Sequence, residues 1–347
     1  MTRLALSLVV LASACAQFPE NQPLPPPYLP RQGYRFENLR ADVANTDSVL
    51  VCVSFSGGGT RAGALAYGVV RQLARTRIAG RTRSLLDEVD IVSAASGGAF
   101  PAAYLGAFGA EAFLAQFRAR VLLRDLGMES FWRAALCPYN TVRICSPWFN
   151  RSDLAAELYA DTIFGDDTYS DLQRRGRPFI VLNATDLAQG ARFEFTQDRF
   201  DRLGSSLGRV PLARAVAASS AFPVLLTPVA FRDYETLTPR YVHLVDGGIV
   251  DNLGLGYVLE SYQRGAIRDL IAAGRVQTLV FIIVNARNRP PDEMGESPQA
   301  PGAISVLAWG LGAAIDGRAD DQGQLLADLT GRDGDAGPAV HVVEVDL

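Results

Sequence analysis

Several stretches of the chain are apolar almost without interruption and are of strand length: Ser48–Phe55, Asp90–Ala95, Pro178–Thr185 and Gln277–Val284. Runs of this kind suit strands buried on both faces of a parallel sheet. Between them the apolar spacing becomes helical. Leu65, Val69, Val70 and Leu73 share one face after the first run, a helix of small residues follows the second, and Leu212–Ser220 forms a short helix. Residues 191–196 alternate, which predicts a half-exposed strand or hairpin after the third run. Tyr241–Asp246 and Val340–Val345 complete the strands, with a helix carrying Leu255, Val258 and Leu259 after the former and another near 303–328. Strands alternate with helices and no repeat occurs, so the pattern predicts an α/β fold with a mainly parallel sheet. The helical region 111–176 has an odd centre, where Phe131, Trp132, Tyr139, Trp148 and Phe149 crowd a stretch broken by Pro138 and Pro147. This is an insertion or cap over about 127–150. Either it is a satellite core under a long loop, or it is an apolar rim that meets lipid.

The turns that close the first two strands carry the candidate chemistry. Asp90–Ala95 runs into Ser96-Gly97-Gly98, a strand-to-helix elbow that would thrust the Ser96 hydroxyl out of the sheet. The G-x-S-x-G pattern of such elbows has Ala94 at its first glycine and Gly98 at its last. The expectation is a negative φ at Ala94, with the backbone strain falling on Ser96. One βα unit earlier, Ser48–Phe55 runs into Ser56-Gly57-Gly58-Gly59-Thr60-Arg61. A glycine loop at a helix start can bind phosphate or an oxyanion. Nucleotide binding is disfavoured: G-x-G-x-x-G fails at Ala62, no Gly-Lys-Ser/Thr follows, and no acid stands at a strand end where a ribose would need it. Adjacent βα loops share a sheet edge, so the amides of Gly57, Gly58 and Gly59 would neighbour Ser96.

A serine nucleophile needs a base. Tyr241–Asp246 ends in an acid followed by Gly247-Gly248, which puts Asp246 at a strand terminus, where open α/β sheets place their sites. The chain has two histidines. His243 lies three residues before Asp246, so the two point to opposite faces of one strand. His341 follows Ser96 and Asp246 in α/β-hydrolase order but sits inside an apolar strand, where a structural role is the simpler account. The remaining arrangement is a Ser–Asp dyad in which Asp246 accepts the proton of Ser96.

Ser56-Gly57-Gly58-Gly59-Thr60-Arg61, Ala94-Ala95-Ser96-Gly97-Gly98 and Asp246-Gly247-Gly248, in that order, resemble the patatin-like phospholipase family. Its pattern is D-G-G-G-x-R/K-G, then G-x-S-x-G, then D-G-A/G. The resemblance covers about residues 48–260. It implies a three-layer patatin-like fold with helices on both faces of the sheet, and lipid acyl hydrolase activity of phospholipase A type, with no metal or other cofactor. It carries over Ser96 as nucleophile, Asp246 as base, and Gly57, Gly58 and Gly59 as the oxyanion loop. Arg61, Gly98, Gly247 and Gly248 support the motifs. Ser56, Ala62 and Ala94 replace the family's Asp, Gly and Gly, all with small residues. The alternative from another class is a non-catalytic lipoprotein that binds lipid or a partner on the same scaffold.

Composition changes this picture chiefly at the N terminus. The net charge of −4 and the lack of a basic run give no case for nucleic acid, and the few scattered Cys and His residues do not make a zinc site. Residues 1–14 join Arg3 to a short apolar core and small residues, as in a secretory signal. Cys15 follows Ala12-Ser13-Ala14, which resembles a bacterial lipobox with Ala where Leu is preferred. Two readings are open: Cys15 is the lipidated first residue of a mature envelope protein facing the periplasm or exterior, or a plain signal is cut nearby and the protein is secreted. Residues 15–47, rich in proline, would be the tether, and 48–347 the hydrolase domain. Export would allow a disulfide between Cys137 and Cys145, which geometry must decide.

Overall fold

The computed structural model describes residues 18–27, 31–40, 45–78, 80, 82–287, 302, 312, 315, 317, 322, 324 and 338–347. The proposed signal and Cys15 lie outside these residues, as does most of the helix expected near 303–328, although the described positions within it are helical. The first three apolar runs become β1 (Val49–Phe55), β2 (Val89–Ala95) and β3 (Phe179–Asp186). A short β4 (Ala191–Glu194), β5 (Val229–Asp233) and β6 (Arg240–Asp246) extend the sheet on one side. β7 (Thr278–Asn285) and β8 (Ala339–Asp346) extend it on the other. The sheet order is β5-β6-β3-β2-β1-β7-β8, with β4 paired to β3. Every residue of β2 and β3 is buried, as their continuous apolar sequence requires.

The pairing is parallel from β3 through β2, β1 and β7 to β8, and helices flank this sheet. β4, β5 and β6 are antiparallel additions on the β3 side. This qualifies the sequence reading of Asp246. β6 runs against β3 and so brings Asp246 in from outside the sheet, beside Ala184, rather than up to the shared carboxyl edge. β2 and β3 are in register at Ala95 and Asn183, so the next row across the sheet holds Ser96, Ala184 and Asp246.

Two helices carry the loops at this edge. α1 (Gly59–Arg75) starts inside the glycine loop, and α2 (Ala99–Phe117) follows the Ser96 elbow. α2 packs Tyr104, Phe113 and Phe117 together, with the two phenyl rings stacked at 4.7 Å. The described part of the proline-rich lead-in is not a free tether. Tyr34 is wholly buried, stacks on Phe179 at 4.8 Å, and its hydroxyl accepts from the Ile180 amide at 2.8 Å.

Within the aromatic stretch the chain forms α3 (Leu126–Leu136) and a second short helix, Pro138–Ile144. Asp125 caps α3 by accepting from Met128 N at 2.9 Å. Among the described residues the satellite core there is buried Phe149 and Leu154 with partly buried Ala134 and Ile144, so the satellite reading explains one aromatic residue and leaves Phe131, Trp132, Tyr139 and Trp148 exposed. Cys137 and Cys145 bracket the helix Pro138–Ile144 and are both free thiols. Eight residues of helical rise separate them by about 12 Å, beyond the ~7 Å that a disulfide can bridge between Cα atoms.

Candidate active site

The elbow forms because β2 stays extended to its end and the turn is then made in one residue. Ala95 has φ −131° and ψ 149°, and Ser96 has φ 52°. Ala94 is not among the residues with positive φ, so the strain falls on Ser96 alone and the missing glycine costs nothing here. The two glycines after Ser96 are required by what lies beside them. A Cβ on Gly98 would sit 2.6 Å and 2.7 Å from the Phe55 and Ser56 carbonyl oxygens at the end of β1. A Cβ on Gly97 would lie 2.7 Å from the Cα of Gly59 and closer still to its carbonyl. The elbow and the glycine loop are therefore packed backbone to backbone.

The structure brings Ser96 and Asp246 together. Ser96 Oγ donates to Asp246 Oδ2 at 2.6 Å, and the Gly248 amide donates to Asp246 Oδ1 at 2.8 Å. Asp246 is 2 % exposed, and burial pushes its carboxyl up to about 6; the bonds from Ser96 and Gly248 oppose that rise. Such a carboxylate can take a proton from a hydroxyl it already touches. The Asp246 carbonyl accepts from Thr185 Oγ1 at 2.9 Å, which fixes the end of β6 to β3. Gly247 has no room for a side chain, because a Cβ would run into the Asn183 carbonyl. His243 and His341 are both exposed and neither lines the cavity around Ser96.

The glycine loop differs in one respect from expectation. The Gly57 amide donates to the Asn252 carbonyl at 2.8 Å, so it is committed within the protein and not aimed at a substrate. Gly58 is the N-cap of α1 and Gly59 its first residue, with φ of 136° and 61°. Their amides precede the first intrahelical bond and stand at the positive end of the helix dipole. The Ser56 hydroxyl accepts from the Ala286 amide at 2.8 Å and donates to the Gly57 carbonyl at 3.0 Å, which ties the start of the glycine loop to the end of β7. Arg61 is exposed and lines the cavity.

Sequence reading missed Ser219. Its hydroxyl is fully buried, accepts from the Ser96 amide at 3.1 Å and donates to the Asn183 carbonyl at 2.7 Å. Its own carbonyl accepts from the Gly247 amide at 3.0 Å, so one residue ties the Ser96 elbow, β3 and the Asp246 turn together. A faint signal was present: two serines ending an alanine-rich helix just before Phe222-Pro223. Ser219→Ala would leave two buried backbone groups unpaired, at a cost of about 1–3 kcal/mol in stability. The expected outcome is a lower kcat at unchanged KM, because Ser219 does not line the cavity. Steady-state kinetics and urea unfolding on the same variant check this. A rise in KM alone would contradict the positioning role.

Ser96, Asp246 and the glycine loop lie in the wall of a cavity of about 780 Å³. Phe100, Val121, Leu122, Leu126, Phe222 and Leu225 give it an apolar lining, which suits a hydrocarbon chain next to a reacting carbonyl.

A family model described as patatin-like phospholipase matches residues 53–259. Among solved structures, human GIVD cytosolic phospholipase A2 is similar with 14% sequence identity and a TM-score of 0.42, over 68% of this chain and 43% of that one. The same human enzyme in complex with methyl gamma-linolenyl fluorophosphonate inhibitor and terbium chloride gives 17%, 0.41, 68% and 41%. The chain thus matches less than half the length of these structures. The search of curated proteins gave no match.

Proposed function

The chain belongs to the patatin-like phospholipase family, and on that premise we propose that it cleaves acyl esters of phospholipids through a Ser96–Asp246 dyad. The observation that carries this reading is the 2.6 Å hydrogen bond from Ser96 Oγ to Asp246 Oδ2 in the wall of an apolar cavity. Ser96 Oγ attacks the ester carbonyl while its proton passes to Asp246. The amides of Gly58 and Gly59 take up the charge on the carbonyl oxygen. The tetrahedral intermediate expels the alcohol, which regains the proton from Asp246, and leaves an acyl group on Ser96. Water then attacks that ester with Asp246 again as base, releasing the fatty acid and restoring Ser96.

This reading extends to the N terminus. Cys15 is the lipidated residue that holds the enzyme on an envelope membrane, facing the periplasm or exterior, within reach of its substrate. Two acyl chains or more would be needed for stable anchoring.

A fluorophosphonate acyl-chain analogue is expected to label the protein once, with the adduct on the peptide that contains Ser96, and labelling should block release of fatty acid from phospholipid vesicles. Mass spectrometry of the digested adduct reads the position. Labelling elsewhere, or vesicles left intact by the unlabelled protein, would favour the non-catalytic lipid-binding alternative.

A further inference from the structure

α3 is built the wrong way round for a helix of a water-soluble domain. None of its residues is buried, and its apolar stripe of Met128, Phe131, Trp132 and Leu136 faces outward at helical spacing. Phe131 and Leu136 are 58% and 73% exposed, and Leu123, just before the helix, is 68% exposed. A contiguous apolar surface of this kind marks a contact site. No described helix is long and apolar enough to cross a membrane.

A second observation gives the contact a charge. Beside Leu123 lies a groove of about 750 Å³ that contains Arg71, Arg75 and Arg118, floored by Tyr67, Leu114 and Leu122. Among the described residues no acidic side chain lines it. None of the three arginines pairs with a described carboxylate, and Arg71 lies over the Tyr67 ring at 5.5 Å. This cationic groove stands on a chain whose net charge is −4, so it is a local feature and not the drift of a basic protein. Leu122 lines both the groove and the Ser96 cavity, and Leu126, at the start of α3, lines the cavity as well. Stripe, groove and cavity therefore adjoin.

We propose that this face docks on a bilayer bearing anionic phospholipid head groups. The α3 stripe enters the interface, Arg71, Arg75 and Arg118 hold head-group phosphates, and the Ser96 cavity then opens on the lipid. Apolar insertion joined to arginine–phosphate attraction is the combination that holds a protein on such a surface. The inference deepens the lipid-hydrolase reading and rests on it for the purpose of docking, but the docking itself is measurable without turnover.

The test is co-sedimentation of the full chain carrying Cys15→Ser, to remove any lipid anchor, and Ser96→Ala, to spare the vesicles. Binding to phosphatidylglycerol–phosphatidylcholine vesicles is expected to exceed binding to pure phosphatidylcholine by about tenfold or more and to fall at high salt. Arg71→Gln with Arg118→Gln should remove most of that preference, at roughly fivefold per arginine. Phe131→Ala with Trp132→Ala should weaken binding to both vesicle types. With Ser96 restored, both pairs should hydrolyse a soluble short-chain ester like the parent, which shows that they fold. Equal binding to the two vesicle types, or binding indifferent to both pairs, would overturn the proposal. So would a dimer in light scattering that Trp132→Ala dissolves, since the stripe would then cover a second copy. Because docking is read with Ser96 replaced, a protein that docks but never hydrolyses fails the enzyme reading alone.

Discussion

Replacing Asp246 with asparagine is expected to lower kcat by about 10²–10⁴-fold and at the same time to make the protein more stable at pH 8. The two effects share a cause. Asparagine keeps the shape and can still accept from the Gly248 amide, but it cannot take the proton of Ser96. In the wild type, burial raises the carboxyl from an ordinary 3.8 to about 6. Between those values the folded protein binds more protons than the unfolded chain, so stability falls as pH rises through this window and stays lower above it. At 1.36 kcal/mol per decade, the gap from 3.8 to about 6 corresponds to about 3 kcal/mol. The neutral asparagine side chain carries no such penalty. Urea unfolding at pH 5 and pH 8 should therefore show Asp246→Asn gaining more over the wild type at pH 8. The wild-type kcat/KM should rise with pH through about 6, as the base ionises. His341→Ala, on the exposed face of β8, should leave both profiles as they are. A variant as active as the wild type, or one equally destabilised at both pH values, would remove Asp246 from the role of base.

What the sequence could and could not reveal follows from the range of each interaction. β1, β2 and β3 were legible because burial on both faces writes itself into consecutive apolar residues. The elbow and the glycine loop were legible because the turns are local and the small residues are contiguous. The direction of β6 was harder. It is only half buried, and its hairpin partner β5 is five residues long. The connection over 234–239 is too short for a parallel crossover, which was the available clue. Which loop amides remain open was not legible at all, since Gly57 is claimed by Asn252, far along the chain. Ser219 was missed for the same reason: its partners Ser96 and Asn183 lie 123 and 36 positions away. The outward stripe of α3 shows the converse limit. Periodicity reveals that a helix has an apolar face but not which way that face turns.

Gly97→Ala should be among the most damaging single-methyl changes at the active site. Glycines tolerate or refuse a side chain for two separate reasons, and the active site contains both. Gly59 has φ 61° but open space around it, so an alanine there meets only conformational strain. At Gly97 the backbone angle is ordinary and the obstacle is steric: the added methyl meets the backbone of Gly59, which no rotamer change can relieve. Either the glycine loop or the elbow must move, and each movement separates Ser96 from the amides of Gly58 and Gly59. Loss of one oxyanion donor costs about 10²–10³ in kcat, and forced overpacking adds about 1–3 kcal/mol of destabilisation. The expected variant is folded with a lower melting temperature, inactive toward esters, and slow to react with a fluorophosphonate. Ala94→Gly provides the contrast. It restores the family's residue, yet should lower stability by about 0.5–1 kcal/mol with no gain in activity, because β2 is already extended at that position. If Ala94→Gly instead raised kcat, the strain would not be confined to Ser96, and the elbow would turn over two residues rather than one.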